Sequence, residues 1–366
     1  MKKTLVLHIL RGAVGLLFVF SGLVKLVDPV GTQIKMSEYF SEDVLNLTFL
    51  EPWSLELGIF LIVLELALGV WLLIGYHYKF TLRISMILML FFLFLTGYSA
   101  VTGKVTDCGC FGDAVKLTPW ETFYKNVVIF LLLLILWNYR NVFDFREAMW
   151  KKILAYGIPV LAVFFAGWTV KHLPVVDFRP YAVGKNIKQG MEIPPGAPEF
   201  KYEEIWYYKV DGKIKKFKTE DEPWNIPGAE FVKRETKEIQ KGYIPPVHDF
   251  SIEGAGGDIT EEVLKADDIW LILVTEPTAL DSADFEKIKQ AIDYFQKQGK
   301  KFVVISSDFT PEMEEMFAIS WNVPVYLMDG TTLKTMIRTR VGVMNLQNAT
   351  VKAKHTISDF LKDKRE

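Results

Sequence analysis

The sequence predicts a membrane-embedded bundle of α-helices followed by a soluble α/β domain. Three observations carry that reading. The 366 residues are 50% hydrophobic with a mean hydropathy of +0.19, which fits neither a disordered chain nor an ordinary soluble domain. The long apolar runs all fall in residues 1–172, which hold 15 basic and 12 acidic residues, against 27 and 32 in the remainder. Strands alternating with helical stretches begin only near residue 246. The net charge of -2 gives no footing for a nucleic-acid partner.

Roughly 20 apolar residues cross a bilayer. Five runs qualify: about Leu5–Val24, Leu57–Ile74, Phe80–Val101, Phe123–Trp137 and Ile153–Val170. The fourth is short, but Trp120 and Tyr124 at its start and Trp137 and Tyr139 at its end read as interface anchors. A cleaved signal peptide is the competing reading of the first run, but Ser21-Gly22-Leu23-Val24-Lys25 is a poor cleavage site, and Pro29 and Gly31 are expected to end the helix. Lys2, Lys3, Lys79, Arg83, Arg140, Arg146, Lys151 and Lys152 all fall on one side of this topology. The positive-inside rule makes that side cytoplasmic and puts the loops at 26–55 and 102–119, and everything after 171, outside.

Two ionisable residues fall within spans, where charge is costly. Arg11 lies a third of the way into the first and Glu65 near the middle of the second. A pair between these antiparallel neighbours is expected, either as a quinone or proton site or as a buried pair that fixes packing. Gly12, Gly15, Ser21 and Gly22 suit close helix contact.

Both cysteines stand in one outer loop, Thr106-Asp107-Cys108-Gly109-Cys110-Phe111-Gly112-Asp113. Two cysteines cannot build a four-ligand zinc site or a disulfide framework, and no metal ligand set is assigned. A Cys-Gly-Cys ring is small and strained, hence easily exchanged, and closing so short a loop removes little chain entropy. Cys108 and Cys110 are therefore the candidate catalytic residues, as a redox pair on the oxidising side. A structural pair and a soft-metal site completed from elsewhere stay open. Lys25 and Lys104 are candidates to stabilise a thiolate, or simple interface anchors.

Arg11-Gly12, Phe18, Ser21-Gly22, Lys25, Asp28-Pro29 and Tyr39-Phe40 resemble the first span of the DoxX-like membrane proteins. Asp107-Cys108-Gly109-Cys110-Phe111-Gly112, before the fourth span, resembles the motif of the MauE branch of that superfamily. The resemblance covers roughly residues 1–140. It implies a four-helix membrane bundle linked to disulfide formation or quinone-coupled electron transfer. The MauE name comes from methylamine utilisation; nothing in this sequence points to methylamine, and the fused outer domain implies a different client.

Residues 173–245 read as a β-rich connector, with a hairpin at Asp211-Gly212 and prolines at 194, 195, 198, 223 and 227. Trp206, Tyr207, Tyr208 and Trp224 are expected to form the packed face of a small sheet, the other reading being a binding surface. From 246 onward come strands at Ile269–Thr275, Phe302–Ser306 and Val325–Met328, helices at Ser282–Gln298 and Glu312–Ser320, and a sheet-and-helix segment at 346–361. This order, entered by His248-Asp249-Phe250, resembles the thioredoxin-like fold; Val323-Pro324 stands before the strand where the family usually carries its cis-proline, the other reading being that Pro324 simply opens an edge strand. Where the family carries Cys-x-x-Cys, this chain has Thr275-Glu276-Pro277-Thr278-Ala279. A partner-binding role without thiol chemistry is expected of it. No Walker or Rossmann glycine loop, Gly-x-Ser-x-Gly or His-Glu-x-x-His occurs.

The resulting expectation is a multi-pass protein of the bacterial inner membrane: 1–140 a four-helix domain, 141–172 a cytoplasmic loop and fifth span, 173–245 the connector, 246–366 a periplasmic thioredoxin-like domain. Cys108 and Cys110 would do thiol–disulfide work, and Arg11 and Glu65 would shape a site for a membrane quinone. The partners are the lipid bilayer and a periplasmic thiol protein. The alternative is a non-enzymatic envelope docking protein with structural cysteines.

Overall fold

The computed structural model describes residues 2–105, 109, 111–115, 117–143, 145–146 and 148–364. Five of its helices are long and apolar enough to cross a membrane. They are α1 (Lys2–Val27), α3 (Ser54–Ile74), α4 (Tyr78–Thr102), α5 (Pro119–Asn138) and α6 (Met149–Lys171). The chain is a multi-pass membrane protein. α5 starts four residues earlier than its apolar run, because Thr118 and Glu121 form a capping box that satisfies the first turn.

One further helix, α2 (Pro29–Phe40), takes the place of the loop expected after the first span. Asp28 caps it by accepting from Gly31 N at 2.9 Å, and Pro29 stands at its first position. Pro29 therefore starts a helix as well as ending one.

α1 and α3 run antiparallel in close contact. A Cβ at Gly69 would lie 2.7 Å from Val19 N, and one at Gly22 3.0 Å from Leu66 N. Small residues let the backbones approach, as membrane helices require. Gly12 faces open space instead. α6 packs on α3, with the Trp71 indole donating to Ala155 O at 2.9 Å.

The C-terminal domain, the outer domain of the expected topology, has α7 (Ile187–Met191) as its first helix and then leaves the core for a separate sheet of β1 (Lys201–Val210), β2 (Lys213–Lys218) and β3 (Glu230–Gln240), ordered β2-β1-β3. Trp206 meets Trp224 and Phe231, and Tyr208 meets Phe217 and Phe231, so these aromatics pack one face; Tyr207, one residue along the strand, points to the other, where Lys216 and Lys233 lie over its ring and its hydroxyl donates to Glu235. This lobe leaves and rejoins at one point, where Tyr243 N donates to Pro198 O at 2.8 Å.

The main sheet has β4 (Glu253–Gly254), β5 (Gly257–Asp258), β6 (Ile269–Val274), β7 (Phe302–Ser306), β8 (Val325–Leu327), β9 (Val341–Gln347) and β10 (Thr350–Thr356), ordered β10-β9-β6-β7-β8-β4-β5. β6, β7 and β8 are parallel, and β9 is antiparallel to both β6 and β10. The helices are α8 (Thr260–Lys265), α9 (Ser282–Lys297), α10 (Pro311–Met313, continued by wider turns to Ser320), α11 (Gly330–Met336) and α12 (Ile357–Asp363). α9 buries Ile288, Ala291, Ile292 and Phe295, a single helical face, against the sheet. This is the thioredoxin-like arrangement.

Two expectations are corrected. Tyr181 and Ile187 are buried in the same core as Leu271 and Met344, so the chain joins the outer domain well before residue 246. Gly184 N and Ile187 N bond to Val351 O and Ala349 O, which ties this entry segment to the β9–β10 hairpin. Among the described residues no peptide bond is cis, so Val323–Pro324 is trans. It precedes β8, whereas the loop that faces the end of β6 is the one entering β9.

Candidate functional site

A cleft of about 810 Å³ separates the outer end of the bundle from the outer domain. Arg338, in the loop between α11 and β9, lines it. Arg338 donates from Nε to Asp28 Oδ2 and from Nη2 to Asp113 Oδ2, both at 2.8 Å, and from Nη1 to Lys334 O at 2.7 Å. Asp28 belongs to the turn between α1 and α2, and Asp113 to the cysteine-bearing loop. One arginine from the outer domain therefore ties together two outer segments of the bundle. It is 8% exposed; burial opposes its charge, but the two carboxylates outweigh that and hold it above its ordinary range. Gly31 makes room for this junction, since a Cβ there would sit 2.6 Å from Asp28 Oδ2.

A second buried cluster lies on the outer-domain side. Asp177 accepts from Arg179 Nε at 2.7 Å and Nη2 at 2.9 Å, and from Lys354 Nζ at 2.7 Å. Two cations share one carboxylate here. Burial, then the neighbouring Arg179 charge, pulls Lys354 down to about 8. The Asp177 carboxyl loses hydration too, but its two cations outweigh that and hold it below the usual carboxylate range.

On the bundle side, Glu65 does not pair with Arg11. Lys25 donates to Glu65 Oε2 at 2.7 Å, and both side chains are buried. The antiparallel register explains this: Gly22 against Leu66 sets Lys25 level with Glu65. Arg11 is level with the other end of α3, where it donates to the carbonyls of Leu72 and Leu73, the latter at 2.9 Å. Seven residues of helix separate Glu65 from Leu72, about 10 Å. Glu65 and Lys25 line the cleft among Leu61, Phe91 and Phe92, and Arg11 does not. Lys25 is thus a buried ion-pair partner, while Lys104 is exposed and donates to Asp43 O.

Cys108 and Cys110 lie outside the described residues. Gly109, between them in the chain, has φ +61 and packs on Lys35, whose Cγ would be 3.3 Å from a Cβ there. Gly112 N donates to Gly109 O at 3.0 Å. Phe111 meets Phe20 with centroids 5.6 Å apart, and Lys125 Nζ lies 4.2 Å from its ring centroid. Gly109, Gly112 and Asp113 all line the cleft.

Across the cleft stands the loop after β6. Thr275 donates from N to Arg340 O at 2.9 Å and from Oγ1 to Thr339 O at 3.0 Å, and Glu276 pairs with Lys334 at 3.6 Å. Thr275 lines the cleft, so the outer domain turns toward the bundle the sheet end where its fold relatives hold thiols. Sequence reasoning found Lys25 and Glu65 separately, and quoted Asp28 and Asp113 within motifs, but missed the junction. The Asp28-Pro29 cap signal could have revealed α2; nothing local marked Arg338.

Comparison with known proteins agrees with the membrane half of this picture. Residues 3–138 match the family model described as methylamine utilisation protein MauE. Protein TlpB of Flavobacterium psychrophilum is 28% identical over 142 residues, which cover 37% of this chain and 37% of that protein. The chain thus spans little more than a third of the length of this curated relative. No solved structure matches.

Proposed function

We propose that this protein, whose residues 3–138 carry a MauE-type membrane domain, exchanges thiols and disulfides at Cys108 and Cys110 beneath its outer domain. The observation that carries this reading is that Gly109, the residue between the two cysteines, lines the cleft with Lys35, Asp113 and Arg338. In the oxidising direction a client thiolate attacks the Cys108–Cys110 disulfide and forms a mixed disulfide. A second client thiolate then displaces the pair as a dithiol, so the client loses two electrons and the pair gains them. The outer domain, which has no cysteine, is read as the surface that presents the client, a thiol protein of the outer compartment. The basic residues at the far end of the bundle support a cytoplasmic location for that end, and a periplasmic one for the outer domain, in a bacterial inner membrane.

The pair must be reoxidised by a two-electron acceptor, for which we propose a membrane quinone. The apolar wall of Leu61, Phe91 and Phe92 around one charged pair fits a flat ring with polar oxygens. A quinone bound there supplies uptake of two electrons and two protons. Glu65, held by Lys25, is the carboxylate on that wall, whereas Arg11 lies outside it.

Single-cysteine variants test the reading. Cys110→Ser cannot form the disulfide and should abolish client oxidation; offered a client already in its disulfide form, its Cys108 thiolate should attack and stay trapped as a mixed disulfide, because no second cysteine is left to release it. Unchanged client oxidation in that variant, with no adduct, would leave the docking alternative standing. Alkylation of the wild-type thiols before and after adding quinone should show their loss on quinone addition.

A further inference from the structure

The bundle end away from the outer domain carries a second cavity, of about 490 Å³, between the α3–α4 turn and the α5–α6 loop. Lys79, Arg83, Arg140, Arg146 and Lys151 line it. Among the described residues no carboxylate lies within ion-pair distance of any of the five. Asp144 and Glu147 belong to the same loop and lie outside the described residues; set against five cations, they would still leave a formal charge of +3.

Charge alone would be accounted for by topology, but two further features point to an anion. The Tyr78 side chain lines the cavity, is only 6% exposed, and its hydroxyl has no hydrogen-bond partner. Beside it, Arg11 Nε is also buried without a partner, with the guanidinium 4.8 Å from the ring of Phe145, another lining residue. Buried donors left unmade are rare; of the two only Tyr78 lines the cavity, where its hydroxyl can donate to an anion. In addition, α4 begins at the cavity with no side-chain cap, so its first amides and its dipole favour negative charge.

We infer that this cavity binds a phosphate group, and that the phosphate is the head group of an anionic phospholipid. A phosphate offers several acceptor oxygens to the cations and to the Tyr78 hydroxyl at once. The lipid source follows from the surroundings: Phe80 on the rim, and Trp150 and Ile153 on the first turns of α6, are exposed apolar side chains suited to acyl chains. Basic pockets between membrane helices hold lipid head groups in this way. The site lies at the opposite end from the cleft and is independent of the redox reading.

The test uses the full-length protein, stripped of lipid in neutral detergent. Binding of phosphatidylglycerol, phosphatidylcholine and inorganic phosphate is then measured separately by native mass spectrometry. Phosphatidylglycerol should bind in preference to phosphatidylcholine. Lys79→Gln with Arg146→Gln, both exposed and safe for folding, should weaken it about fivefold for each cation, so about twenty-five-fold together. Tyr78→Phe, which removes only the buried hydroxyl, should weaken it about tenfold. Inorganic phosphate binding with the same dependence, in the absence of lipid binding, upholds the phosphate site and overturns the lipid source. Equal phosphatidylglycerol and phosphate binding by wild type and the double variant overturns the site.

Discussion

Arg338→Met removes the cation that bonds the outer domain to Asp28 and Asp113 of the bundle. The arginine makes charge-assisted bonds at 2.8 Å to both Asp28 and Asp113. Once it is gone, two carboxylates face each other with no cation between them, relieved only by water and by the Gly31 N bond to Asp28. Breaking a buried pair by removing one partner costs about 3–5 kcal/mol when the stranded charge is fully enclosed. Here Asp28 is 19% and Asp113 26% exposed, so hydration recovers part of that, and about 3 kcal/mol is the expected loss. That lowers the docked-to-undocked ratio by a factor of about 150. Hydrogen exchange is the assay. The amides of Gly31, Gly112 and Ala114 should exchange faster in the variant, while those of α9 and β6 keep their protection, because the outer-domain core is untouched. A double-mutant cycle with Asp113→Asn should return a coupling of at least about 1 kcal/mol. Unchanged exchange at all three amides, together with zero coupling, would refute the idea that this junction holds the domains together.

Other perturbations have equally definite signs. Below about pH 8 Lys354 is protonated in both states; between about 8 and its ordinary value of 10.5 the native lysine has lost its proton while the unfolded one keeps it, so stability rises with pH across that window. Lys354→Met should flatten that rise and raise the melting temperature at pH 7, since the Asp177–Arg179 pair remains balanced; a melting temperature that falls would sink the argument. Lys25→Met should destabilise the bundle by about 3–5 kcal/mol by stranding Glu65, and adding Glu65→Leu should recover most of that, as read by thermal unfolding in detergent. Gly69→Ala should cost about 1–3 kcal/mol in the same assay, because the added Cβ meets backbone at 2.7 Å, while Gly12→Ala should be close to neutral.

The spans were legible because hydropathy over about 20 residues leaves few alternatives, and the α/β alternation because α9 shows a single apolar face. Partnerships were not legible to the same degree. Glu65 had two basic candidates on α1, Arg11 and Lys25, and only the helix register chose between them; that register depends on glycines meeting backbone, which no spacing in one sequence reveals. Arg338 sits in a polar stretch with Arg340 beside it, yet one is buried in the junction and the other pairs at the surface with Asp284. Long-range pairing through 310 residues of chain leaves no local trace. The trans Val323–Pro324 bond left no trace either: a Val-Pro pair is compatible with both isomers, so the dipeptide does not tell which one the fold sets.

The pinch at Pro198 and Tyr243 also has a bearing on how this chain can vary. The three-stranded lobe enters and exits side by side, where Tyr243 N bonds to Pro198 O and Gln240 Nε2 to Glu199 O, and β3 is exposed along its whole length. Length and composition there are uncoupled from the packing of the sheet beneath. A lineage could exchange, lengthen or shed that lobe and keep the rest of the chain in register, which makes it the part of the molecule most open to new recognition.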